Sequence, residues 1–382
     1  MRFMEFKLSK EQDMMQKMAK EFADKEIAPL SQEIDKTHKF PIELARKMGT
    51  LGLMGMMVEP ALGGAGCDTV CYTIAIEELA RASAAVAIIA SVNNSLVCYP
   101  LQKNGTDDQK KRYIPDIASG KKLGAFGLTE PGAGTDAGSQ ATVAVKKDNE
   151  YILNGTKIFI TNATNADTFI IFAMTDKTKG PKGISAFIVE KTFPGFSIGT
   201  VEELMGIRGS GQAELVMDNC RVPAANLIGA EGAGFGIAMA TLDSGRIGVA
   251  AQAVGIAQAA LEECQRYAME REQFGKPIGK FQAIQWMVAD MATEIEAARL
   301  LVRKAAYAKD TQKRFSAEAA MAKLYASEMC MRATTKAVQI HGGYGYTKDY
   351  LVERLIRDAK ITEIYEGTSE VQRMVISGGL LK

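Results

Sequence analysis

The chain is poor in histidine: His38 and His341 are the only two in 382 residues. A Ser-His-Asp triad or a multi-histidine metal site would have to be built on one of them, so proton transfer falls more naturally to a carboxylate. An excess of either charge is also missing. Lys plus Arg total 46 and Asp plus Glu 45, a net charge of +1. That balance offers no field for nucleic acid or an anionic membrane surface, and leaves room only for a local basic pocket. No apolar run reads as a membrane span, and the start, Met1-Arg2-Phe3-Met4-Glu5-Phe6-Lys7, has no signal-peptide core. No membrane insertion is expected, and a cytoplasmic location is. The six cysteines, Cys67, Cys71, Cys98, Cys220, Cys264 and Cys330, lack the spacing of a disulfide framework. Reduced, mostly buried thiols are expected, and no metal, since no second pair or histidine cluster accompanies Cys67 and Cys71.

What the chain does have is apolar content, 47%, enough for two or three packed units, because single cores stop growing near roughly 250–300 residues. The pattern predicts an α+β fold that is mainly α. Residues 1–120 read as a helical domain, with one amphipathic helix through Met14, Met15, Met18, Phe22 and Ile27, another over 42–51, and an alanine-rich stretch over 71–93. Residues 121–233 read as an antiparallel β domain, with two short strands turning at Asn154-Gly155. Residues 234–382 return to the helical period, with long helices over 246–271, 282–309 and 317–339 and a short one after Glu366. That set suggests an antiparallel bundle.

Three carboxylates, Glu363, Glu366 and Glu370, stand close together near the C-terminus. Gly367 permits a sharp turn, and Thr368 or Ser369 can cap the last helix, with Gln372 completing a capping box after Ser369. Glu366 then lies just outside a helix start, fixed in direction without being spent as a cap. Taken alone, a solvated loop glutamate explains it as simply. Leu128-Thr129-Glu130-Pro131-Gly132-Ala133-Gly134-Thr135-Asp136 can bring backbone N–H groups to a phosphate, or can be a tight connecting loop. It is not a Rossmann fingerprint, since Ala137 replaces the third glycine and no β-α-β pattern surrounds it. The glycines after His341 can cap a helix or admit an anion. Arg271 ends a helix as a dipole-compensating charge or a ligand, and Leu242-Asp243-Ser244-Gly245-Arg246 reads as a helix opening.

Five segments in a fixed order carry a resemblance: Phe126 to Asp136, Phe159 to Asn162, Arg271 to Pro277, Gln339 to Gly345, and Ile364 to Thr368. Along essentially its whole length the chain resembles the acyl-CoA dehydrogenase family, and is most similar to its short-chain, butyryl-CoA-type members. The resemblance implies a C-terminal four-helix bundle, one FAD per subunit, a homotetramer and electron-transferring flavoprotein as partner. It implies that Glu366 is the catalytic base. It implies that Phe126, Leu128, Thr129, Phe159, Ile160 and Thr161 hold the isoalloxazine, with Thr161 near N5. Thr135 would reach the phosphates and the substrate, and Thr368 and Glu370 would also contact the flavin. Arg271, Phe274, Gln282, Gln339, Gly342 and Gly343 would bind the FAD of a neighbouring subunit. Asp243, Ser244, Gly245 and Arg246 would bind the acyl-CoA, and Gly367 would adjoin its thioester.

Two departures are visible. Many members have Trp where Phe159 stands, whereas butyryl-type sequences share the Phe. Some branched- and long-chain members carry the base where this chain has Gly245, which leaves Glu366 as the candidate. An enoyl-CoA reductase of crotonyl-, acryloyl- or caffeyl-CoA type would use the same residues in reverse. An acyl-CoA oxidase fits the length less well, and a non-catalytic acyl-CoA-binding helical protein would carry no flavin.

Overall fold

The computed structural model describes residues 7–381. The N-terminal unit contains α1 (Lys10–Phe22), α2 (Ala28–Thr37), α3 (Ile42–Thr50), α4 (Thr69–Ala82), α5 (Ala84–Ser91), α6 (Tyr99–Asn104) and α7 (Asp107–Ala118). Helix α1 starts on a reciprocal cap, Ser9 accepting from the Gln12 N–H while Gln12 accepts from the Ser9 N–H. The alanine-rich stretch is two helices, because extended Ser83 ends α4 and caps α5 through the Val86 N–H.

After α5 the helix widens into a π segment, Val92–Cys98. Buried asparagines hold it. Asn93 donates to the Met54 and Ile117 carbonyls and accepts from the Gly124 N–H, while Asn94 donates to Leu53 and accepts from Met56. An apolar run long enough to span a membrane is present after all, Ala84–Asn104. It is interior packing: every residue from Ala84 to Cys98 is buried in protein.

The middle unit is an eight-stranded sheet ordered β6-β7-β3-β2-β4-β5-β8, with β1 paired to β4. The strands are β1 (Gly124–Gly127), β2 (Val143–Lys147), β3 (Glu150–Ile160), β4 (Thr168–Met174), β5 (Ile184–Glu190), β6 (Phe196–Val201), β7 (Ala213–Pro223) and β8 (Leu227–Ile228). Most pairs are antiparallel, but β1 runs parallel to β4, which brings the chain entering from α7 into the sheet's middle. The expected turn at Asn154-Gly155 is not one. Both residues lie inside β3 at a register shift against β7, and a β-carbon on Gly155 would meet Thr142 Oγ1 at 2.4 Å. The hairpin turns six residues earlier, at Asp148 (φ +53°) and Asn149, between Lys147 and Glu150.

The C-terminal unit holds α8 (Gly234–Glu270), a small hairpin of β9 (Glu272–Gln273) and β10 (Lys276–Pro277), then α9 (Gln282–Thr311), α10 (Ser316–His341), α11 (Leu351–Lys360) and α12 (Ser369–Leu380). Helix α8 begins twelve residues before Arg246, so Asp243 to Arg246 lie inside it and Ser244 caps nothing. It packs against α9, α10 and α4, and one apolar cluster joins the bundle to the N-terminal helices.

Candidate active site

Six segments meet at a cavity of about 310 Å³, the smallest share being Pro181 from the turn Lys177–Gly183 before β5. Ile88, Val92 and Leu96 come from α5 and its π extension. Phe126, Leu128, Thr129, Thr135 and Asp136 come from β1 and the loop after it. Phe159 and Ile160 end β3, and Thr161 follows it. Phe235, Met239, Leu242 and Arg246 form one face of α8. Tyr365, Glu366, Gly367 and Val371 come from the C-terminal turn and α12.

Glu366 follows the short helical turn Ile361–Glu363 and adopts φ +54°, with Gly367 at φ +95°. A left-handed glutamate is strained and has to be held by its surroundings. Arg246 Nε donates to the Glu366 carbonyl at 3.2 Å, and Lys323 Nζ donates to the Gly367 carbonyl at 2.7 Å. Gln372 Nε2 donates to the same two carbonyls, at 3.4 and 2.8 Å. It therefore braces the turn and does not form the expected capping box. Thr368 is the cap, accepting from the Val371 N–H.

The Glu366 side chain keeps some surface towards the cavity, yet its Oε2 is sealed from solvent and has no hydrogen-bond partner. Desolvation pushes its carboxyl up to about 7, against the pull of Lys323 and Arg246. Behind it the Tyr365 hydroxyl donates to Gln252 Oε1. Asp243 holds Arg246 at 2.6 Å and accepts from Ser316, while the Ser244 hydroxyl is buried without a partner. Gly245 lies directly against the carboxylate: a β-carbon there would sit 2.0 Å from Glu366 Oε2.

A buried ion pair shapes the loop that closes the opposite side. Glu130 accepts from Lys157 Nζ at 2.6 Å and from the Ala141 and Thr142 N–H groups. Lys157, with no exposed surface, also donates to the Leu128 carbonyl and Gln140 Oε1. The loop is thereby fixed from beneath, and β-carbons built on Gly132 and Gly134 would meet nothing. Phe159 adopts φ +60° and is 56% exposed, an unusual state for a ring at the rim of a cavity. The Thr161 hydroxyl accepts from Gln212 Nε2. A flat aromatic group with polar edges and an anionic tail suits these surfaces, as a flavin dinucleotide has.

The remaining sequence candidates lie elsewhere. Arg271, Gly342 and Gly343 line a second cavity of about 470 Å³ that shares no lining residue with the first. The Arg271 guanidinium lies 5.4 Å from the centre of the Tyr344 ring, and Phe274 is 93% exposed at φ +55°. Gly342 is the C-cap of α10, while Gln339 and Gln282 are exposed at helix ends. Thr368 and Glu370 stand beside the first cavity's lining residues without joining them.

Sequence reasoning missed Ile88, Val92, Leu96, Phe235 and Met239. The steps of four, three and four from Phe235 to Arg246 were the available signal, hidden by starting the helix too late. The α5 wall carried none, because a helix apolar all round marks no face.

The acyl-CoA dehydrogenase N-terminal domain matches residues 9–121, the middle domain 125–220 and the C-terminal domain 232–381. The short-chain specific acyl-CoA dehydrogenase of Clostridium acetobutylicum is 55% identical over 379 residues, covering 99% of this chain and all of the relative. The acryloyl-CoA reductase (NADH) of Anaerotignum propionicum is 52% identical over 384 residues, covering all of this chain and 97% of the relative. Butyryl-CoA dehydrogenase of Megasphaera elsdenii superposes with a TM-score of 0.98 at 52% identity, over 99% of this chain and all of that one. A chain in the structural work on the electron transferring flavoprotein of Acidaminococcus fermentans matches at 0.98 and 54%, with the same coverage. With all three domains matched in order over nearly the whole length, the chain belongs to the acyl-CoA dehydrogenase family.

Proposed function

We propose that this protein exchanges two electrons between a short-chain acyl-CoA thioester and FAD, with Glu366 as the base that removes the α-proton. The observation that carries the reading is a carboxylate oxygen with no partner, sealed from water, against an apolar cavity. FAD bound between the Leu128–Thr135 loop and Phe159-Ile160-Thr161 supplies the acceptor for the β-hydride, and the donor when the reaction runs in reverse. The chain does the rest. Ile88, Val92, Leu96, Phe235 and Met239 exclude water from the acyl group, which strengthens every dipole inside. The Glu366 N–H donates to the thioester carbonyl, where negative charge develops as the α-proton leaves. Arg246 and Lys323 hold the turn, so the carboxylate meets the α-carbon without reorganising.

Phe126, Leu128, Thr129, Thr135, Phe159, Ile160, Thr161, Thr368 and Glu370 are the proposed flavin contacts of one subunit. Arg271, Phe274, Gln282, Gln339, Gly342 and Gly343 serve a neighbouring subunit's FAD in a homotetramer. Their separate cavity and the exposed Phe274 support that division. Asp243, Ser244, Gly245, Arg246 and Gly367 are the proposed acyl-CoA segment. Electron-transferring flavoprotein is the proposed redox partner, and the cytoplasm the proposed compartment, consistent with six free cysteines.

The reverse direction, reduction of an enoyl-CoA, is a second reading, favoured by the reductase relative. Protonated Glu366 then donates to the α-carbon. The test is Glu366→Gln. It should keep FAD and acyl-CoA binding and lose at least roughly two orders of magnitude in turnover, the usual scale for a positioned base. Wild-type turnover would refute the assignment.

A further inference from the structure

Lys323 lies in the first third of α10 with no exposed surface and no salt bridge among the described residues. A buried ammonium without a carboxylate partner is costly, and a methionine would fill the same slot without that cost. Its one hydrogen bond goes to the Gly367 carbonyl, at 2.7 Å. That carbonyl belongs to the second residue of the left-handed pair Glu366-Gly367, and lies outside α12 with Gln372 as its other donor. The ammonium also acts on the Glu366 carboxyl through space without bonding to it.

We propose that Lys323 is a positioning residue for the base: it locks the Glu366-Gly367 turn through the Gly367 carbonyl and leaves the carboxylate unpaired and aimed into the cavity. The inference rests on Glu366 being the base. Bonded directly to Glu366, the ammonium would tie up the oxygen needed for the α-proton. Bonded one peptide away, it supplies both rigidity and a positive field. The other charged and titratable groups facing this pair are Arg246 on α8, Glu363 before the turn, Glu370 on α12, Tyr365 beside the base and Tyr72 on α4. Arg246 alone among them is a second cation, and it bonds the Glu366 carbonyl, so the two cations hold successive peptides.

The test uses the full chain loaded with FAD. Lys323→Met should keep its FAD and bind butyryl-CoA within threefold of wild type, while kcat falls at least thirtyfold. The limb of the kcat/KM profile that belongs to Glu366 should move up by about one pH unit, because a cation has gone. Lys323→Gln, which keeps a shorter donor and no charge, should recover at least threefold of the lost kcat with the limb still displaced. Placed in Glu366→Gln, Lys323→Met should change the residual rate less than twofold. Wild-type kcat with an unmoved limb overturns the proposal, as does a loss confined to KM or FAD content, or a loss undiminished in Glu366→Gln. If neither Lys323 variant folds with FAD, its role is structural and the proposal fails. If Glu366→Gln keeps its turnover, the base assignment has failed first, which is a separate result.

Discussion

Gly245 on α8 and Glu366 on the C-terminal turn touch so closely that a β-carbon on Gly245 would stand 2.0 Å from Glu366 Oε2 and 2.8 Å from Leu96 Cδ2. Both neighbours are ends of flexible side chains, so the carboxylate can yield while the backbone stays. Gly245→Ala should fold with FAD, cost about 1–3 kcal/mol as a modest overpacking, and lose at least tenfold in kcat by turning the proposed base aside. Turnover and thermal unfolding measured together check it, and unchanged kcat would show that the carboxylate has room to spare.

The pH dependence follows from the same carboxyl. Its ordinary value is 4.5 and burial raises it to about 7. Dehydrogenation needs the carboxylate, so its kcat/KM should climb through about pH 7 and level above it. Enoyl-CoA reduction needs the acid and should decline over the same interval. Rates in both directions across pH 5–9 decide the point, and coincident rather than mirrored profiles would exclude a shared group.

Stability carries the opposite mark. Below pH 4.5 folded and unfolded chains both hold the proton, and the site costs nothing. Between 4.5 and 7 the unfolded chain ionises first and folding is increasingly penalised, with the full penalty above pH 7. A shift of this size corresponds to roughly 3 kcal/mol. Glu366→Gln should therefore unfold at a higher temperature than wild type at pH 8 and at nearly the same temperature at pH 4.5. Melting curves at the two values test this.

Lys157→Met would leave the Glu130 carboxylate buried without its ammonium. Breaking such a pair typically costs about 3–5 kcal/mol. Because Lys157 also holds the Leu128 carbonyl, flavin content should fall along with the unfolding midpoint. Denaturant titration and the flavin-to-protein ratio after gel filtration measure both.

Arg271→Ala should loosen FAD or the assembly while leaving chemistry in any retained flavin little changed. The readouts are mass in solution and flavin retention on dilution. If neither moves, the second cavity has no part in holding the cofactor.

The helical, β, helical order was legible because hydrophobic period alone marks it, and three of the five short segments named loops that converge on the first cavity, while the other two lie at the second. The start of α8 was not legible. Gly234, Gly236 and Gly245 lower local helix propensity, and burial against the neighbouring units overrides it. Asn154-Gly155 looked like a turn because that dipeptide favours one, but the contact with Thr142 uses the glycine for clearance inside a strand. Lys157 and Lys323 could not be picked out as interior groups. A lysine in sequence reads as solvated, and only the carbonyls and carboxylate brought from distant segments explain their burial.

The cavity takes its first wall from Ile88 and its last from Val371. During synthesis the ribosome therefore delivers Glu366, the proposed base, only after the walls from Ile88 to Arg246 have emerged, with Val371 following it. A nascent chain arrested before that point exposes an apolar slot without the proposed base.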